Sequence, residues 1–248
     1  TLGADDGVAV AMMLALLDKA DLAAPAIECI FTTDEETGMS GMRAFDASVV
    51  TGRRMINLDS AGEGEATVAC AGGVRTLFTL KPDRAPLSDT ESVWKVEISG
   101  LAGGHSGEDI HLGRVMAAMA MARIASVLDA KCGIRLVRID GGSKDNAIMR
   151  ACTMVFATSA GETILRNVFE TARDTITGTL VEADRGCVMT LTAVSDEWQP
   201  MTKVFSDRAL YLLRSLPVGV QEMSRQIPGL VETSANCGIV RTLADTVE

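Results

Sequence analysis

Two patterns of apolar and polar positions divide the chain. Residues 7–20 (GVAVAMMLALLDKA) are apolar on most faces and free of proline, which predicts a helix buried in a layered α/β domain. Asp5 and Asp6 precede its first turn, where carboxylates suit the helix dipole. Two short, nearly continuous apolar runs, 26–33 (AIECIFTT) and 55–58 (MINL), predict strands of a sheet covered on both faces. Each ends in acid, Asp34-Glu35-Glu36 after the first and Asp59 after the second. Ligands of open α/β sheets gather at the carboxyl ends of strands, so these acids stand where chemistry is expected.

From Gly72-Gly73 onward the pattern changes. Strands are predicted at 74–80, 93–99, 134–139, 151–158 and 187–195, and helices at 114–128, 161–182 and 202–215. A glycine-rich loop, GLAGGHSG, occupies 100–107. Strands and helices interleaved without acids at the strand ends predict an α+β sandwich, with helices on one face of an antiparallel sheet. Methionines at helical spacing, such as Met116 and Met119, read as core filler. There is no internal repeat, coiled coil or polar linker, and the two regions abut. A length of 248 residues suits two modest domains, which we set at 1–73 and 74–248.

Charge sharpens this division. The net charge is −10, yet residues 1–73 hold 12 acidic and 4 basic side chains against 21 and 19 in residues 74–248. Neither region is net positive, which argues against a nucleic-acid phosphate groove and leaves cation binding open. The six cysteines are scattered without a C-x-x-C pair, the usage of reduced thiols in the cytoplasm. No apolar run reaches the ~18 to 20 residues of a membrane span and no signal segment opens the chain, so a soluble protein with no membrane partner is expected.

Asp5/Asp6, Asp34/Glu35/Glu36 and Asp59 fall at element boundaries within 55 residues of each other. Taken one by one, such acids are usually caps or solvated turn residues. Gathered in one crevice they repel, and a bound divalent cation is what would offset that. His105, inside GGHSG, is one of only two histidines, and its flanking glycines let the backbone carry the ring toward a ligand. His111 follows six residues later, off helical spacing, and reads as structural. Gly72-Gly73 and Gly103-Gly104 are not phosphate loops, because no Gly-Lys-Ser/Thr follows.

Seven segments in order, TLGADDG (1–7), FTTDEETGMSG (31–41), MINLDS (55–60), EGEATVACAGG (63–73), GLAGGHSGEDIHLGR (100–114), RIDGGSKDNAI (138–148) and SLPVGVQEMS with GLVETSANCGIV (215–240), resemble the Xaa-His dipeptidases. These aminoacyl-histidine dipeptidases, or bacterial carnosinases, belong with the dinuclear-zinc aminoacylase and glutamate carboxypeptidase type of metallopeptidase. The resemblance implies an α/β catalytic-domain portion over 1–73 and an α+β lid over 74–248, a substrate-covering and dimerisation type of domain incomplete at its C-terminal end. It implies a cytoplasmic enzyme that hydrolyses carnosine-like dipeptides by metal-bound hydroxide. Asp5 resembles the carboxylate that bridges two zinc ions, Glu36 a ligand to one metal and Asp59 a ligand to the other, with manganese or cobalt as alternatives to zinc. Glu35 resembles the general base, and Asp34, outside the pattern, a surface acid. His105 resembles the lid residue that steadies the tetrahedral oxyanion. Asn146 matches a substrate-contacting asparagine, and Asn236 is a second substrate-binding candidate. Where the family has Asn-Ala-Ile-Pro, Met149 replaces the proline, which suggests a different local turn.

The family's site also uses a histidine from an upstream H-x-D motif, a second from the C-terminal part of the catalytic domain, and an arginine for the substrate carboxylate. Neither ligand histidine lies in this sequence, and the arginine is expected beyond Glu248. The expectation is therefore an internal fragment with about half of a metal site, inactive alone. A non-catalytic lid or homodimerising module is the alternative from another class. An aminoacylase or a tripeptidase is the alternative within the family.

Overall fold

A computed structural model describes residues 6–19, 21, 23–35, 38–59, 64–195 and 199–248. The chain divides into two compact units, Thr1–Cys70 and Ala71–Glu248.

In the first unit, helix α1 spans Gly7–Asp18, and the Asp6 carboxylate caps it by accepting the Ala9 N–H at 3.0 Å. Its side chains are largely exposed, Leu14 and Leu17 by more than half, and only Ala9 is buried. A short helix α2 (Ser40–Ala44) and a single turn at Ala47–Val49 complete its regular structure. The strands expected at 26–33 and 55–58 are not formed, nor is the one at 74–80 in the second unit. A strand exists only through a ladder partner, and among the described residues the one strand pairing of these runs is the isolated bridge of Leu80 to Val247. Met55 and Ile56 are 86% and 85% exposed, so these runs keep the composition of buried strands without the burial.

The second unit is an antiparallel sheet with helices. Strands β1 (Ser92–Ser99), β3 (Arg135–Gly141), β5 (Cys152–Thr158) and β6 (Val188–Ala193) lie in the order β3-β5-β1-β6. Two-residue strands β2 (Gly104–His105) and β4 (Ala147–Ile148) form a separate ladder. Helices α3 (Ala117–Cys132) and α4 (Glu162–Thr177) connect the main strands in a β-α-β-β-α-β succession, and α5 (Lys203–Ser215) follows. Alternation along β1 sends Trp94, Val96 and Ile98 into the core, while Lys95 and Glu97 pair at 2.9 Å on the other face. Trp94 and Val96 stand opposite Phe156 and Met154 of β5, and α3 packs against both strands and lies beside α4 and α5. The antiparallel α+β reading of this region holds.

Helix α3 starts later than expected because Met116 is extended, at φ −89° and ψ 123°, and stands as its N-cap. The Val115 N–H goes to Asp184, and the Ala117 N–H at the helix start goes to the Met149 carbonyl. Gly133, at φ 58°, then stops the helix. Helix α4 ends at Gly178, short of the expected 182, and a single turn at Glu182–Asp184 leads into β6. A hairpin of β7 (Gly219–Met223) and β8 (Val231–Ala235) was not expected from the sequence.

The outer edge of β3 is fully engaged. Leu136 N–H donates to Ser206 Oγ and its carbonyl accepts from Met201 N–H; Ile139 N–H donates to Thr242 Oγ1, which donates back to the Ile139 carbonyl. Gly141 and Val240 exchange both backbone hydrogen bonds. Such capping blunts a sheet edge against further pairing.

Candidate functional site

Of the carboxylates singled out in the first unit, Asp5 and Glu36 lie outside the described residues. Glu35 is exposed in a turn where its carbonyl accepts from Gly38 and Met39 N–H, both at 3.2 Å. Asp34, at φ 57°, accepts from Ser40 Oγ at 2.5 Å and is exposed. Asp59 is exposed, and its N–H donates to Asn57 Oδ1 at 2.9 Å. Among the described residues no three His, Cys, Asp or Glu side chains converge on a metal position. The described residues alone therefore do not make a dinuclear centre.

The candidates in the second unit do come together. His105 on β2 pairs with Ala147 on β4, and the adjacent Ser106 N–H donates to the Asn146 carbonyl at 2.9 Å. Asn236, just after β8, donates from Nδ2 to the carbonyls of Asp145 and Ala147 at 3.0 and 2.9 Å, straddling Asn146. Both amide hydrogens of Asn236 are thus spent on holding the turn that presents Asn146, which is itself exposed. Arg75 forms an ion pair with Asp145 in the same turn. Met149 is 2% exposed, and its carbonyl serves helix α3.

The ring of His105 is held in one state of hydrogen bonding. Its Nδ1 accepts the N–H groups of Gly107 at 3.2 Å and Glu108 at 3.1 Å. A nitrogen that accepts cannot carry the proton, so the neutral ring bears it on Nε2. The residue is exposed, which leaves that N–H open to a ligand. The loop around it is braced from within: His105 N–H donates to Asp109 Oδ2 at 2.8 Å, and Arg114 reaches the Gly103 carbonyl at 2.5 Å and Asp109 at 3.4 Å. Gly104 sits at φ 142°, and a Cβ there would run into the Arg114 guanidinium and the Asp109 carboxylate. His111 is exposed in the single turn Ile110–Leu112 that follows.

Sequence reasoning missed Asp109, Arg114 and Asp184 as parts of this arrangement. Arg114 closes a quoted motif, but nothing in its spacing distinguishes it from a surface arginine. All six cysteines are free; burial pushes the Cys152 thiol up to about 12, with Cys237 and Asp140 adding to it.

Residues 96–177 match the family model described as Peptidase dimerisation domain. Over the whole chain the sequence is 31% identical to Cytosol non-specific dipeptidase of Escherichia coli (strain K12), of which it covers 51%. The crystal structure of Aminoacylhistidine Dipeptidase from Vibrio alginolyticus matches all of the chain with a TM-score of 0.80 at 31% identity, again over 51% of that protein. The chain is a homologue of these dipeptidases. It spans about half the length of each. Among the described residues, no helix of this chain is long and apolar enough to cross a membrane.

Proposed function

We propose that this chain is part of a cytosolic, metal-dependent dipeptidase acting on Xaa-His substrates, with residues 1–73 in its catalytic domain and 74–248 as its lid. The 248 residues are catalytically incomplete by themselves. Homology to dipeptidases of twice the length supports this, as does the exposure of the apolar helix α1, whose side chains suit an interior. The observation that carries the reading is His105: a lid histidine with Nδ1 occupied by two backbone amides and its Nε2–H open. Such a donor stabilises the negative charge that develops on a carbonyl oxygen during hydrolysis, and removing one oxyanion donor costs about 10² to 10³ in kcat.

Glu35 is the proposed base. It takes the proton of the attacking water and passes it to the leaving amine. Asn146 touches the substrate, and Asn236 sets the turn that bears it. Asp5, Glu36 and Asp59 are the proposed metal ligands, for zinc or alternatively manganese or cobalt. Two such ions, when bound, would polarise the scissile carbonyl and activate the water.

The test is made in the longer enzyme that contains this chain, assayed on an Xaa-His dipeptide with Zn²⁺. Glu35→Gln and His105→Ala should each lower kcat by at least about a hundredfold. Near wild-type turnover in Glu35→Gln removes the base assignment.

The match of residues 96–177 to a dimerisation domain favours a second reading, a homodimerising module with no catalytic role of its own. Its pairing surface would be β6, the sheet edge opposite the capped β3, with Thr190 and Thr192 exposed. Metal analysis of the purified chain tests the incompleteness that both readings give its first unit. Two stoichiometric zinc ions would contradict an incomplete site.

A further inference from the structure

Asp184 ends the single turn between α4 and β6 and is fully buried, at 0% exposure. A buried carboxylate is costly unless both oxygens are engaged. Here each oxygen takes a backbone N–H, Ala102 on Oδ1 at 2.9 Å and Val115 on Oδ2 at 2.6 Å. Those two amides are the two ends of the loop that carries His105. One carboxylate thus closes a long glycine-rich segment at its base, and the chain of Gly100 lies close against the Gly186 carbonyl beside it. Within the closed loop, the Gly107 and Glu108 amides reach His105 Nδ1.

We propose that Asp184 is a positioning residue for His105: by holding the Ala102 and Val115 amides on its two oxygens, it keeps the loop in the shape that delivers two backbone N–H groups to Nδ1 and so fixes the ring as the Nε2–H tautomer. This rests on the proposed role of His105 as an oxyanion donor. It explains why the position holds aspartate. Asparagine has the same shape but a single acceptor oxygen, so it satisfies one end of the loop and turns an N–H toward the other.

The experiment is nitrogen-15 NMR of the imidazoles in this chain and its Asp184→Asn variant, with the ring neutral. His105→Gln assigns the signals, since only two histidines are present. The parent chain should show His105 as the Nε2–H form. Asp184→Asn should lower the ratio of Nε2–H to Nδ1–H by about tenfold, the weight of one or two backbone hydrogen bonds. A folded Asp184→Asn variant whose ratio stays within about twofold of the parent overturns the proposal.

If Asp184→Asn does not fold, amide hydrogen exchange in the parent chain decides. The Gly107 and Glu108 amides should exchange together with those of Ala102 and Val115, as one opening unit. Independent and much faster exchange at Gly107 and Glu108 overturns the clamp. Turnover is scored separately in the longer enzyme. There Asp184→Asn should lower kcat with little change in KM, whereas unchanged turnover in His105→Ala would sink the oxyanion reading and leave the tautomer result to stand by itself.

Discussion

Replacing Thr242 by valine removes a hydroxyl and little else, and it tests what holds the outer strand of the sheet. Thr242 is 7% exposed; its Oγ1 accepts the Ile139 N–H at 2.8 Å and donates to the Ile139 carbonyl at 2.9 Å. Its own N–H donates to Asp140 Oδ1, a bond that valine keeps. The variant therefore leaves two polar groups of a buried edge residue, Ile139 at 3% exposure, without partners. Each orphaned group costs about 1 to 3 kcal/mol. The methyl that replaces the hydroxyl returns roughly 0.8 kcal/mol of apolar burial. The orphaned groups win, and the net loss should be about 1 to 5 kcal/mol. Urea unfolding measures it, with Thr246→Val as the control. The Thr246 hydroxyl reaches Glu248 only at 3.4 Å in a half-buried position, and its loss should stay within about 0.5 kcal/mol. Native-state exchange at the Ile139 amide should accelerate in Thr242→Val alone. If both variants lose less than about 0.5 kcal/mol, the edge strand is held by packing and the hydroxyl argument is wrong.

Three further outcomes follow from local geometry. Gly142 sits at φ 75°, where a Cβ would collide with the Gly238 carbonyl, so Gly142→Ala should cost about 2 to 5 kcal/mol in urea unfolding and shift the NMR signals of Asn236. Gly161→Ala, at φ −63° in open space, should change stability by no more than about 0.5 kcal/mol, because alanine's smaller unfolded-state entropy is offset by its poorer fit at the N-cap of α4. In the first unit, the hydroxyl and amide of Thr51 and the amide of Gly52 all donate to the Glu28 carboxylate and hold its pKa below the ordinary value of 4.5. This tether is present above the unfolded-state value and is lost as pH falls through the depressed folded one. The Thr51 and Gly52 amide signals should move in that acid window, and Glu28→Gln should abolish the movement; an identical titration in Glu28→Gln would refute it.

The parts of the fold legible in the sequence are those where one face is buried. In β1 the series Trp94, Val96, Ile98 alternates with Lys95 and Glu97, and both the pattern and the burial agree. The hairpin of β7 and β8 gave no such signal because most of its side chains are exposed or half-exposed on both faces, so its pairing rests on backbone bonds that leave no periodicity. The runs at 26–33 and 55–58 fail in the opposite way. Their composition is that of covered strands, but composition specifies an environment and says nothing of the ladder partner that makes a strand.

The site repeats this contrast. His105, Asn146 and Asn236 were legible as separate polar residues in short motifs, and the β2–β4 ladder with the Asn236 amide brings their backbones together. Asp184 was not legible, because an aspartate before Arg-Gly reads as an exposed turn residue until its 0% exposure is seen. The glycines around His105 show most clearly what sequence alone misjudges. They suggest freedom to carry the ring toward a ligand, yet Gly103 lies against the Arg150 side chain and Gly104 against Arg114 and Asp109. In this loop the missing Cβ serves close approach. The segment is compact and pinned at both ends by one carboxylate, and that, more than backbone mobility, gives the imidazole a fixed proton to offer.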